Sequence, residues 1–415
     1  MDYERLTEAY SAMEQTRSRL EIATLLAGLF RDTPPEELVA VAYLCLGKLG
    51  PAYDSREVGL SDKSVLRTLA LASGAPLDNL QANYAKAGDI GLVAEEALAA
   101  KSQQPLFGSP LTVSRVWERL HALSLETGSG SQERKFRALA ELLHDGTPQD
   151  ARYLCRTAVG KLRLGFSQML LVDGLAEAFG SREERNLVEA AYNRHPDIGW
   201  LAQRTAADFS SLADVRATLG IPLRPMLGER LSSAEAVLEK HDGESGFEWK
   251  YDGLRVQAHL LEGGTRLFSR SLEDLTPQFP DVVGALEQVL PTGVIVEGEA
   301  LAIDEAGNLL PFQVIAKRRG RKHGLAEKLE EIPVGVRLFD LLYANGQETL
   351  ATPFTERRER LETLFTPSDR VACTTLLRTT NAAEAEQFML DALEGGCEGL
   401  MSKALNGGYR AGARG

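Results

Sequence analysis

The chain has 415 residues, 44% of them apolar, which is more than one compact core organises and enough for two. Lys and Arg total 46 against 59 Asp and Glu, a formal net charge of −13 that excludes a histone-like or uniformly basic nucleic-acid coat but not a local basic face. Charged residues at 25% lie near the globular average, and with abundant apolar periodicity this excludes a disordered chain.

The amino terminus, Met1-Asp2-Tyr3-Glu4-Arg5, carries charge where a signal peptide carries an apolar core. No apolar run approaches the roughly 18 residues of a membrane span. Apolar residues at helical spacing predict helices within 3–30, 35–49, 62–73, 112–125, 133–144, 148–159, 168–179 and 183–192. Short Gly, Pro, Ser and Asp breaks separate them; Asp145-Gly146 turns the chain and Thr147-Pro148 starts the next helix. No fixed repeat period is evident, which speaks against a solenoid. Cys45, Cys155, Cys373 and Cys397 lie far apart without a CxxC pair, against a disulfide framework or a structural zinc site. These features predict a soluble protein of the reducing cytoplasm.

The texture changes at Gly220-Ile221-Pro222-Leu223-Arg224-Pro225, where two prolines disfavour helix. From Gly246 onward strands dominate: 254–260 partly alternates, and 294–303, 336–343 and 400–403 are strand-like, with helices at 354–365 and 381–394. The chain therefore reads as multidomain, α and α/β: a helical domain over 1–215, a linker over 216–245, and a mixed-sheet domain over 246–415.

Common nucleotide signatures are missing. Gly128-Ser129-Gly130 has no third glycine and precedes a helix instead of following a strand. Gly47-Lys48 and Gly160-Lys161 are each followed by Leu and lack the upstream glycine of a phosphate-binding loop. The sharp feature is Glu248-Trp249-Lys250-Tyr251-Asp252-Gly253-Leu254-Arg255. Alternation along a strand puts Glu248 and Lys250 on one face, Asp252-Gly253 turns the chain, and Arg255 returns on the next strand. One amine is then ringed by two carboxylates and a guanidinium. A charged surface hairpin is the plainer reading of the same residues.

Downstream come Ser269-Arg270, Glu297 and Glu299 on one strand face, Phe339-Asp340, and Glu398-Gly399-Leu400-Met401-Ser402-Lys403. In this order and spacing they resemble the nucleotidyltransferase motifs of the ATP-dependent DNA ligases. Upstream, Gly88-Asp89-Ile90-Gly91-Leu92-Val93-Ala94-Glu95, Gly160-Lys161-Leu162-Arg163-Leu164-Gly165 and Gly220–Leu227 are similar to that family's DNA-binding region and linker, so the likeness covers nearly the whole chain. The resemblance implies a helical DNA-binding domain followed by an adenylation domain. Lys250 would be the nucleophile, attacking the α-phosphate of ATP and passing AMP to the 5′-phosphate of nicked double-stranded DNA. A free lysine, with pKa about 10.4, must lose its proton to attack. By the same resemblance Glu248 reads the adenine edge and Phe339 stacks on the base. Arg255 and Arg270 contact ribose and phosphate, and Lys403 and Arg414 complete the nucleotide site. Glu299 and Glu398 would hold Mg²⁺, hard oxygen ligands for a hard cation. Glu297 carries no role and reads as structural or solvated, and His259 and His323 as ordinary surface or strand residues.

Two stretches without acidic residues answer how an acidic protein holds DNA: 151–170, with Arg152, Arg156, Lys161 and Arg163, and 313–325, with Lys317, Arg318, Arg319, Arg321 and Lys322. Gly160 and Gly165 permit close backbone approach, and the resemblance sets their segment against the minor groove. The chain is expected to act as a monomer, away from membranes. The family continues past the position of Gly415 into a lysine-bearing strand and an OB-fold, so the resemblance implies a carboxyl-terminally truncated chain. Such a chain is expected to keep its DNA grip and to adenylate Lys250 poorly. The rival readings are an RNA ligase or capping-type nucleotidyltransferase, and a non-catalytic nick-binding or DNA-binding fragment.

Overall fold

The computed structural model describes residues 1–54, 56–100, 110–304, 308–317 and 333–415. The chain divides into two compact units, Met1–Tyr192 with Asp197–Asp214, and Asn193–Pro196 with Val215–Gly415.

The first unit is helical. The stretch 3–30 forms two helices, Tyr3–Glu14 and Arg19–Asp32, because the Ser18 side chain accepts from the Glu21 amide and starts the second. Thr147 and Asp150 form a capping box ahead of Pro148–Ala158. Helices Leu77–Ala87, Ile90–Ala99 and Ile198–Ala207 were not predicted from periodicity. The last two are announced instead by their caps, Asp89 and Asp197, which accept from the amides that follow. Tyr3, Tyr10, Phe30 and Tyr153 lie wholly inside. Helix Gln168–Phe179 packs on Arg19–Asp32 through Gly174, where a Cβ would stand 2.7 Å from that of Leu26.

The second unit holds two sheets. In the smaller, β1 (Ser245–Lys250) pairs antiparallel with β8 (Leu376–Thr379) and β9 (Gly399–Lys403). The larger runs β3 (Gly264–Ser269), β2 (Leu254–Leu261), β4 (Val294–Ala302), β5 (Val334–Ala344), β6 (Gln347–Glu348), with β7 (Val371–Cys373) parallel to β5. Strand β2 alternates as its sequence does. Leu254, Val256, Ala258 and Leu260 enter the core with β4, β5 and helix Pro280–Val289. Arg255, Gln257 and His259 point the other way and are covered by residues 220–226, the stretch read as linker. Leu223 there is fully buried; its amide donates to Gln257 Oε1 at 2.8 Å, and the Gly220 amide donates to His259 Nδ1 at 2.9 Å. His259, 0% exposed, is thus a strand residue and not a surface one.

All four cysteines are free thiols. Among the described residues no helix is long and apolar enough to cross a membrane.

Candidate active site

Lys250 ends β1, and the pairing of β1 with β9 sets Lys250 opposite Gly399, Glu248 opposite Met401 and Gly246 opposite Lys403. This register delivers Glu398 to Lys250: the Lys250 carbonyl accepts from the Glu398 amide at 2.8 Å, and the ammonium pairs with the Glu398 carboxylate, both side chains remaining open to solvent.

Glu248 points the same way from β1 but is only 2% exposed. Its Oε1 accepts from Arg358 Nη1 and from the Thr374 hydroxyl, each at 2.7 Å, and its Oε2 lies 3.6 Å from Lys403 Nζ. Burial raises its carboxyl pKa, opposed by the Lys403 and Arg358 charges. The Lys403 ammonium also stands 5.1 Å from the Phe339 ring centroid, and the Arg255 guanidinium 5.3 Å from it.

Phe339 reaches that position through a bulge. Across β4 and β5, Gly298 faces Leu338 while Glu297 faces Asp340, so Phe339 is the extra residue between them. Its ring is half-buried, unlike the core aromatic that Leu338-Phe339-Asp340 would otherwise suggest. Asp340, next to it, is buried in a bidentate pair with Arg357 at 2.7 and 3.1 Å.

Glu297 and Glu299 share the face of the sheet that carries Arg255. Glu297 is the hub of a buried network: its Oε2 accepts from Arg255 at 2.7 Å and from the Tyr409 hydroxyl at 2.8 Å, its Oε1 from Gln257 at 3.2 Å. Arg255 Nη1 donates to the Met226 carbonyl at 2.8 Å, and its buried Nε has no acceptor among the described residues. Glu299 faces Arg255 in the ladder, and burial pushes its carboxyl up to about 8 against the pull of Arg255 and Lys250. Gly253, in the turn before β2, is required by closeness: a Cβ there would stand 2.5 Å from the Ala300 carbonyl oxygen and 2.9 Å from Glu299 Cγ.

Contacts and ladder pairing therefore link Lys250 with Glu398, and Glu248, Lys403, Phe339, Arg255 and Glu299 with one another. Arg270 is exposed just past β3, and no polar contact joins it to this group among the described residues. Arg414, also exposed, lies in a strip where Leu227 and Gly415 exchange backbone hydrogen bonds with neighbours, Leu227 N to Ala413 O at 2.9 Å and Gly415 N to Leu227 O at 3.0 Å. The sequence reading missed Arg358, Thr374, Gln257 and Tyr409, which touch the site residues from behind. Buried arginines in the charged stretch Thr355–Arg360 leave no apolar periodicity to betray them.

Of the residues read as DNA contacts, Arg152 is committed internally, to Glu14 at 2.6 Å and Glu95 at 3.2 Å. Its neighbour Arg156 is buried against Glu14 and Asp89. The acid-free stretch 151–170 is thus partly neutralised by carboxylates from distant positions. Lys161 is exposed, 3.2 Å from Asp62, and Arg163 is exposed, donating to the Gly88 carbonyl at 2.9 Å. Gly160 and Gly165 have φ of 69° and 75° with open space where a Cβ would stand. Lys317 is exposed; Arg318 and Arg319, with Arg321, Lys322 and His323, lie outside the described residues.

A helical unit followed by a two-sheet unit whose β1 ends in a lysine paired with a carboxylate is the arrangement of a nucleotidyltransferase with a separate binding domain. Residues 225–415 match the family model of the ATP dependent DNA ligase domain, and residues 2–176 that of the DNA ligase N terminus. Over its full length the chain is 41% identical to DNA ligase 2 of Thermofilum pendens, covering 71% of that protein. It is 38% identical to the DNA ligases of Thermoplasma volcanium and Thermococcus fumicolans, covering 71% and 74% of them. The solved structure Pmar-Lig_PreS3, 16% identical, aligns over 99% of this chain and 76% of its own with a TM-score of 0.53, a likeness of fold. The chain belongs to the ATP-dependent DNA ligase family, with ATP as adenylate donor and DNA as partner.

Proposed function

We propose that the chain seals nicks in duplex DNA through a lysine–AMP intermediate. The Lys250 amine, deprotonated, attacks the α-phosphate of ATP; a phosphoramidate bond forms and pyrophosphate leaves. AMP passes to the 5′-phosphate of the nick, freeing Lys250, and the 3′-hydroxyl then displaces AMP as the phosphodiester forms. The observation that carries this reading is the juxtaposition of Lys250 and Glu398 on adjoining strands with Phe339, Glu248 and Lys403 one step away.

Each group has a task. Glu248 is acceptor-only when ionised, so it suits an adenine amino group and opposes a guanine carbonyl. Phe339 offers a half-buried ring for base stacking. Lys403 places positive charge beside both. Glu299 and Glu398 fit Mg²⁺: their carboxylates are hard donors, and half-buried Glu299 is held above the usual carboxylate range by desolvation that the Arg255 and Lys250 charges do not offset. Mg²⁺ bound there would neutralise phosphate charge during transfer. Exposed Lys161, Arg163, Gly160 and Gly165 support a hold on the sugar-phosphate backbone that is independent of sequence and weakened by salt.

The test is incubation with α-labelled ATP and Mg²⁺, then denaturing electrophoresis and transfer to a nicked duplex. Label is expected on the wild-type chain and none on Lys250→Ala. DNA binding without label under all conditions would replace the enzymatic reading with that of a binding fragment, and labelling by GTP or sealing of RNA alone would replace it with the capping or RNA-ligase reading.

A further inference from the structure

Two triplets recur in the helical unit: Gly47-Lys48-Leu49 with Gly160-Lys161-Leu162, and Asp89-Ile90-Gly91 with Asp197-Ile198-Gly199. Pro35-Glu36-Glu37 precedes the first Gly-Lys-Leu by the same distance as Pro148-Gln149-Asp150 precedes the second.

The backbone repeats with them. Gly-Lys-Leu closes helix Leu38–Leu44 in one case and Pro148–Ala158 in the other. In both, the lysine amide reaches five residues back, Lys48 to Tyr43 at 3.1 Å and Lys161 to Arg156 at 2.8 Å. The glycine amide reaches three back, Gly47 to Leu44 at 2.9 Å and Gly160 to Thr157 at 3.0 Å. Both glycines have positive φ, 62° and 69°, both leucines are buried, and both lysines are exposed.

The packing is exchanged between the halves. Helix Ile90–Ala99 packs on Pro148–Ala158, and Ile198–Ala207 on Leu38–Leu44. A Cβ on Gly91 would meet Arg152 and Arg156; one on Gly199 would meet Val39 and Tyr43, which stand at the same distances ahead of their own Gly-Lys-Leu. Asp89 accepts from Arg156, and Asp197 accepts from the Tyr43 hydroxyl. Where the halves begin, the Tyr3 amide donates to the Leu111 carbonyl at 2.7 Å and the Val113 amide to the Met1 carbonyl at 3.0 Å. Reciprocal exchange at every level is the mark of a local two-fold axis. The two loops meet near that axis, since a Cβ on Gly47 would stand 3.0 Å from Leu162 Cβ. Beyond each lysine the amides of Leu49 and Gly50, and of Leu162–Gly165, donate to no acceptor among the described residues.

Duplex DNA carries the matching symmetry: its two phosphate backbones are related by two-fold axes at every step, whatever the sequence, and two-fold proteins use them. We propose that Gly47-Lys48-Leu49-Gly50 is a second phosphodiester-contact loop, holding with Lys48 and its free amides the strand opposite the one held by Gly160–Gly165. The proposal rests on the reading that Gly160–Gly165 binds the DNA backbone.

The test is titration of a fluorescent nicked duplex with the full chain over a range of salt. Lys48→Gln is expected to weaken binding several-fold and to flatten the slope of log affinity against log salt by ~0.9, as Lys161→Gln does, while the double variant flattens it by about twice that. Lys48→Arg keeps the slope. Wild-type affinity and slope in Lys48→Gln, with Lys161→Gln impaired, would overturn the second loop alone. No effect of either would overturn the underlying reading of Gly160–Gly165 as well. A photo-cross-linker at Lys48→Cys should mark the opposite strand from one at Lys161→Cys; the same strand in both would overturn the two-fold placement.

Discussion

Arg255 donates to Glu297 at 2.7 Å, although the residue facing it across the β2–β4 ladder is Glu299. The choice leaves Glu299 without a hydrogen-bonded cation among the described residues and makes Glu297 the anchor of residues 223–226 and Tyr409 through Arg255, Gln257 and the Tyr409 hydroxyl. Glu297 is 1% exposed, and breaking a buried pair on one side strands the other charge. Glu297→Ala is therefore expected to cost about 3–5 kcal/mol of unfolding free energy in urea. Tyr409→Phe removes one donor to a charged acceptor and should cost about 1.5–3 kcal/mol. Equal stability of Glu297→Ala and wild type would dismiss the network as an anchor.

Gly253→Ala tests the closeness of the turn to β4. The added Cβ would press on the Ala300 carbonyl oxygen and Leu301 Cδ2, both at 2.5 Å; the leucine methyl can turn aside, but the carbonyl cannot retreat without moving the strand that carries Glu299. Overpacking of this kind costs about 1–3 kcal/mol, so a lower midpoint in thermal unfolding is expected together with weaker Lys250 labelling. A melting curve unchanged from wild type would mean that the turn has room the distances deny.

The candidate site was legible in part because its local signals are short. Strand alternation alone puts Glu248 with Lys250 and Glu297 with Glu299, and β1, β2 and β4 do place them so. What alternation cannot show is partner choice across the ladder: Glu297 read as either structural or solvated, and only the fold shows it structural, bound to Arg255, Gln257 and Tyr409. The bulge that turns Phe339 out of the core depends on register between β4 and β5, a tertiary property. Arg152 read as part of a basic face because Glu14 and Glu95, which neutralise it, are distant in sequence. The correspondence between the halves of the helical unit shows in sequence as only two shared triplets, too little for a repeat period, because corresponding places hold unlike side chains, Tyr43 against Asp197 and Arg156 against Asp89.

Phe339→Leu separates stacking from packing. The ring is half-buried on a bulge, so its loss should leave unfolding nearly unchanged while raising the ATP concentration needed for half-maximal Lys250 labelling by roughly tenfold, the scale of one base–aromatic stack of ~1–3 kcal/mol. A fall in stability without a change in ATP dependence would make Phe339 a core residue after all.

His259 supplies a pH dependence of known sign. Burial, aided by the Arg266 charge, lowers its pKa from 6.5 to about 3, so the folded chain holds the neutral ring, with Nδ1 accepting from the Gly220 amide. Below about pH 6.5 the unfolded chain takes up a proton that the folded chain refuses until about pH 3. Stability from this group is therefore complete above pH 6.5 and is lost as pH falls through that window, at about 1.4 kcal/mol per unit. His259→Gln should be less stable than wild type near neutrality because it breaks the bonds to Gly220 and Gln257. Its deficit, measured by urea unfolding, should shrink by about 1.4 kcal/mol between roughly pH 7.5 and 5.5, since Gln does not titrate. A deficit that stays constant over that interval would show that the buried ring titrates as it does in the unfolded chain, and a deficit that grows as pH falls would show that the fold holds the ring charged.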